Sequence, residues 1–162
     1  MKPVLLTRVI RSCLGLIALC LALAVPATEV AVAPVLDLSG LPALGDGWLK
    51  GNPYRGSVRA LAVGQSAFNQ SCARCHGADA SPVGGAPAPD LRQLNRYCRN
   101  IAEAGVQAAC MADNDYYFRK TVQHGKIIVG VVHMPSWKDV LSQEVVWAIQ
   151  AFVESRIMAE RP

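Results

Sequence analysis

The stretch NQSCARCHGADASPVGG, residues 69–85, sets two cysteines three positions apart and a histidine directly after the second. Cys72, Cys75 and His76 crowd into five residues, and the fold turns on what they hold. Four kinds of chemistry use such a cluster: a covalently attached haem, a zinc ion, a redox dithiol, or half of a disulfide framework.

Zinc takes four ligands as a rule, and a Cys-x-x-Cys pair is normally completed by a second close pair. The later cysteines, Cys98 and Cys110, are 12 residues apart, and His124 and His133 are nine apart, so neither offers that pair. A thioredoxin-like dithiol opens a helix in a βαβ setting. Here the pair closes a helical stretch in a chain without convincing strands. A bare disulfide framework leaves the adjacent histidine without a purpose. The haem reading uses all three residues: two thiols three apart can add to the two vinyl groups of one haem, which brings the imidazole beneath the iron. Cys72 and Cys75 are then thioether anchors and His76 the proximal ligand.

Candidates for the other side of the iron are His124, His133, Met111, Met134 and Met158. Met134 stands out in VVHMPSW, residues 131–137, because Pro135 after it restricts the backbone and suits a ligand held without slack. Met111 adjoins Cys110, and Met158 lies in the C-terminal fringe. His133 is the rival, since two imidazoles would give a lower potential than an imidazole and a thioether. Thioether ligation is the norm for electron-carrying haems of this kind, which favours Met134 and leaves His124 and His133 on the surface.

The N-terminus places the protein. Lys2, Arg8 and Arg11 precede an apolar run from Cys13 to Val25, followed by small residues, the pattern of a secretory signal peptide. The run is well short of the roughly 20 residues that cross a bilayer, so a stable membrane anchor is not expected. Cleavage is expected after Ala27, with Ala31 and Ala33 as alternatives, and the destination is the periplasm. The leader takes three positive charges with it, so the balance of 16 basic and 12 acidic residues becomes 13 and 12. Nucleic-acid binding has no support from that charge. Cys13 and Cys20 leave too, and in an oxidising compartment the four remaining cysteines should all be chemically occupied.

Three segments follow: residues 1–27 as the leader, 28–56 as an extended arm, and 57–162 as one domain. The arm is rich in proline and glycine and shows no sustained period, so it is expected to lie over the domain surface with Trp48 pinning it. Ser57 is a plausible cap for a helix reaching about Gln70 and running straight into Cys72. Ser142 caps the most regular helix, where Val145, Val146, Ile149, Phe152, Val153 and Ile157 form an apolar stripe. A shorter helix is expected from about Asn114 to Gln123, ended by Gly125, with one or two short helical pieces before it. The expected class is all-α.

With GQSAFNQSCARCHG and MPSW in place, the chain resembles the class I cytochromes c over roughly residues 60–156. The resemblance implies a small helical fold enclosing one covalent haem c, with Gly64 and Phe68 of the first helix crossing the closing helix at Ile149 and Phe152. It implies that Pro89, within GGAPAPDL, offers its carbonyl to the Nδ1 proton of His76, and that Leu91 packs on the porphyrin. The order of loops is most similar to periplasmic cytochromes that accept electrons from quinoprotein (PQQ-dependent) alcohol dehydrogenases, with an oxidase or another cytochrome as acceptor. Arg74, Arg92, Lys120, Lys126 and Lys138 would give a weakly basic rim for such partners. Cys98 and Cys110 depart from minimal members of the family. Neither belongs to a second Cys-x-x-Cys-His, so a disulfide between them is the natural use, stabilising by about 3 kcal/mol in the chain-entropy model. What the resemblance implies is a monomeric carrier rather than an enzyme, the alternative being a five-coordinate haem enzyme or gas sensor.

Overall fold

A computed structural model of the chain describes residues 30–82, 84 and 88–156. The expected leader, Ile157 and Met158 lie outside them. Helix α1, Val58–Ser71, begins where expected: the Ser57 hydroxyl accepts a hydrogen bond from the Ala60 N–H at 3.2 Å. A single turn, α2, Ala73–His76, follows without a gap through Cys72. After a 3-10 turn, Leu91–Gln93, and a one-turn helix α3, Arg96–Arg99, comes the long helix α4, Ala104–His124. The last helix, α5, Gln143–Ser155, is capped by Ser142, with Glu144 in its first turn.

Helix α4 starts ten residues before the expected Asn114. Glu103 is the reason: its carboxylate accepts from the N–H groups of Gly105 and Val106 at 2.9 and 2.6 Å, doing the work usually left to a shorter side chain. The expectation of an all-α chain is also corrected. Strands β1, Lys126–Ile128, and β2, Val131–Met134, form an antiparallel hairpin. Lys126 pairs with Met134 but Ile127 with Val132, so His133 is an extra residue on β2, a bulge of the kind that re-aims its neighbours. Val131, Val132 and His133 are exposed, whereas Met134 turns inward. The hairpin turn places Val129 at φ 49° and Gly130 at φ 77°. A left-handed conformation costs a residue with a Cβ about 1–2 kcal/mol.

Helices α1 and α5 cross at Gly64, where a Cβ would overlap the Ala148 carbonyl. The rings of Phe68 and Phe152 meet near the crossing, with centroids 5.2 Å apart. Around this contact the apolar side chains divide into two clusters. The larger holds Phe68, Val122, Trp137, Val146, Ile149 and Phe152; the smaller holds Tyr54, Ala60, Val63, Trp147 and Ala148.

The arm is more deeply integrated than a surface wrap. Leu44 and Leu49 donate their N–H groups to Glu144 and Gln143 of α5, and Val35 and Gln70 exchange two hydrogen bonds. Asn52 and Tyr54 are buried, and the Asn52 amide donates to the Trp147 carbonyl and to Gln150 at 3.0 Å each. Arg55 spans the buried Asp115 of α4 and Glu154 of α5, the latter at 2.7 Å. This polar knot ties the arm to two helices, and nothing in the arm's composition marked it. Trp48 packs against the larger apolar cluster, as a pin for the arm should.

Candidate functional site

Cys72, Cys75 and His76 stand at the junction of α1 and α2. Because α2 continues directly from α1, the two sulfurs and the imidazole are carried on a nearly unbroken helical backbone. Gly77, at φ 71°, ends that turn, and Ala80, also left-handed at φ 60°, bends the chain back. The Ala80 carbonyl then accepts from the Leu91 N–H at 2.9 Å, bringing the two ends of the intervening segment together. Arg156, at the end of α5, donates to Asp79, just before that segment, at 2.6 Å.

That closure delivers the Pro89 carbonyl to within 3.3 Å of His76 Nδ1. The carbonyl can only accept, so Nδ1 carries the proton and Nε2 keeps its lone pair. Burial lowers the His76 pKa, partly opposed by this hydrogen bond, so the imidazole is biased toward its neutral form. A neutral ring with an oriented Nε2 is what iron ligation requires. Leu91 and Leu94, on the far side of the loop, pack against the larger apolar cluster.

The four described cysteines divide into two pairs. Cys98 and Cys110 form a disulfide, with Cα atoms 5.5 Å apart, linking α3 to the first half of α4. Cys72 and Cys75 carry no disulfide. Burial, reinforced by Cys75 nearby, pushes the Cys72 thiol up to about 12, so it is a neutral S–H and a poor candidate for a thiolate nucleophile or metal ligand. Among the described residues no group of three or more His, Cys, Asp or Glu side chains converges as a metal site.

Met134 packs against the same apolar cluster as Cys72, Ala73, Leu91 and Phe118. Its backbone is held tightly: the Trp137 N–H donates to Val122 of α4 at 3.0 Å, and the Ser136 hydroxyl donates to the Gln123 carbonyl. Gly125 has no room for a side chain, since a Cβ there would overlap the carbonyls of Met134 and Pro135. His133 and His124 are exposed, and Met111 lies in α4. Of the proposed basic rim, Arg92 is paired with Asp90 at 2.7 Å and Lys126 donates to the Tyr117 hydroxyl at 2.9 Å.

A haem c fits the donor set. Two cysteines outside any disulfide lie three residues apart, an imidazole presents Nε2, and a thioether and several half-buried apolar side chains share one cluster. The Ser71 hydroxyl, buried next to Cys72, has no hydrogen-bond partner among the described residues.

Comparison with known proteins agrees with this chemistry. Residues 59–153 match the family described as cytochrome C oxidase, cbb3-type, subunit III. The chain is also 40% identical over 124 residues to cytochrome c550 of Pseudomonas aeruginosa, covering 74% of each chain. No solved structure matches.

Proposed function

The chain belongs to the cytochrome c family, whose members carry covalently bound haem c in electron transfer, and on that premise we propose that it is an exported single-haem carrier. It takes electrons from a quinoprotein alcohol dehydrogenase and passes them to an oxidase or another cytochrome in the periplasm. One observation carries the reading of the site: the Pro89 carbonyl lies 3.3 Å from His76 Nδ1, which leaves Nε2 available beside two cysteines that carry no disulfide.

The bound haem supplies reversible one-electron chemistry at its iron. Cys72 and Cys75 would anchor it through thioether bonds, and the His76 imidazole and the Met134 thioether would hold its iron. With both side chains committed to the metal no open site would remain for a substrate, so the reading is a carrier rather than an enzyme. A thioether ligand stabilises the reduced state and raises the potential, and the apolar cluster around Met134 disfavours the extra charge of the oxidised state. Among the described residues no helix is long and apolar enough to cross a membrane.

Stopped-flow reduction of the purified haem protein by quinoprotein alcohol dehydrogenases from the same organism tests the donor. Rapid, alcohol-dependent reduction by one of them is expected. Failure with all would remove that donor while leaving the carrier in place. Rapid and complete binding of carbon monoxide to the reduced protein would instead support a five-coordinate haem enzyme or gas sensor.

A further inference from the structure

The hairpin before Met134 carries an apolar surface that the fold does not use. Ile127, Ile128, Val129, Val131 and Val132 are all exposed, Val129 to 97%. Contiguous exposed apolar side chains on a small protein mark a contact surface more often than chance. The turn is odd in the same direction. A two-residue turn with φ above zero at both positions strongly prefers Asn-Gly or Asp-Gly. Here the first position is Val129, at φ 49°. A branched apolar side chain there is strained and gains nothing from packing within the chain, so its return must come from outside.

The charge along this part of the chain indicates the partner. Between Asp115 and Asp139 the sequence contains Arg119, Lys120, Lys126 and Lys138 and no acidic residue, and Lys126 lies on β1 itself. An apolar tip within a cationic stretch complements an apolar patch bordered by carboxylates. A second copy of this chain would bring like charges together. A lipid surface fits less well, because each strand of a two-stranded hairpin has an outer edge with unpaired backbone groups that hydrocarbon cannot satisfy.

We propose that residues 126–133 are a docking element that seats an acidic-rimmed apolar face of an electron-exchanging protein beside Met134. This rests on the carrier reading above. Because β2 ends at Met134, a partner on the hairpin lies next to the candidate axial ligand, where electron exchange needs close approach. Docking of this sort is small and transient, so the apolar tip acts on the encounter rather than on a stable complex.

The test uses the haem-loaded protein and two variants: Val129→Gly, which relieves the strained turn, and Ile127→Thr with Val132→Thr, which keeps the strands branched. Electron exchange is followed with the quinoprotein dehydrogenase as donor and with the solubilised respiratory oxidase of the same organism as acceptor. Ascorbate serves as a small reductant that needs no docking. The expected result is a second-order rate lower by about tenfold with at least one protein, unchanged rates with ascorbate, and a wild-type rate that falls as salt rises. Wild-type rates in both variants with both proteins overturn the proposal, as does a parallel loss with ascorbate or a wild-type rate indifferent to salt. If the wild type ignores the dehydrogenase, the donor assignment fails while the oxidase arm still judges the hairpin; exchange with neither protein defeats both. Co-sedimentation with phosphatidylglycerol vesicles that Val129→Gly abolishes would reassign the hairpin to a lipid surface.

Discussion

Gly64 of α1 lies directly against the backbone carbonyl of Ala148 in α5, with the Ile149 nitrogen 3.1 Å from where a Cβ would stand. The absent side chain sets how closely the two helices cross, and that spacing brings Phe68 onto Phe152. Gly64→Ala must push the helices apart or distort one of them. A loss of about 1–3 kcal/mol is expected, comparable to other overpacked cores. Thermal melting should fall by roughly 5 °C or more; an unchanged midpoint would mean the crossing is looser than described.

Met134→Ala leaves His76 and the two proposed anchors, Cys72 and Cys75, in place but removes the proposed sixth ligand. The sulfur-to-iron absorption feature of the oxidised protein should vanish, and carbon monoxide should bind the reduced form readily. The midpoint potential should drop by on the order of 100 mV, a fraction of the about 0.8 V range that axial ligands span. Retention of both the absorption feature and the potential would assign the position to another residue.

Replacing Cys98 and Cys110 together by serine removes the cross-link between α3 and α4. Urea unfolding should show a loss of about 3 kcal/mol, the entropy expected for freeing a loop of this length. The visible spectrum should not change, because neither sulfur belongs to the haem site. A spectral shift of the reduced protein would reveal that the disulfide shapes the pocket as well.

The arm's attachment to α5 should be acid-sensitive. Burial works to raise the Glu144 pKa, but the hydrogen bonds from the Leu44 N–H and the Ser142 hydroxyl outweigh it and hold the carboxyl below its ordinary 4.5. A depressed carboxylate stabilises the fold above its unfolded pKa, and that contribution is lost as pH falls through the folded value. Glu144→Gln should therefore flatten the decline in stability between about pH 5 and about pH 3, followed by denaturant titration. An identical acid slope in both proteins would count against the contact.

Membership of a haem c family was legible because the spacing of Cys72, Cys75 and His76 lies along the chain and needs no tertiary information. The caps at Ser57 and Ser142 were legible for a similar reason, each side chain satisfying a local N–H. Helix α4 was misjudged where its cap is Glu103, a residue that rarely serves there. The hairpin was missed because its turn is Val129-Gly130 rather than Asn-Gly, and because both strands expose their apolar residues instead of alternating. Asn52, Asp115 and Gln150 could not be paired from sequence at all, since their separations of 35 to 98 residues leave no periodic trace.

The four cysteines among the described residues present a sorting problem during maturation. Cys98 and Cys110 are 12 residues apart on neighbouring helices, so they meet by local closure before distant segments assemble. Early pairing of these two withdraws them from reaction with Cys72 and Cys75, which under the proposed function must keep their S–H groups until haem attachment. A protein lacking only Cys98 should consequently accumulate mis-crosslinked, colourless forms, whereas one lacking both members of the pair should not.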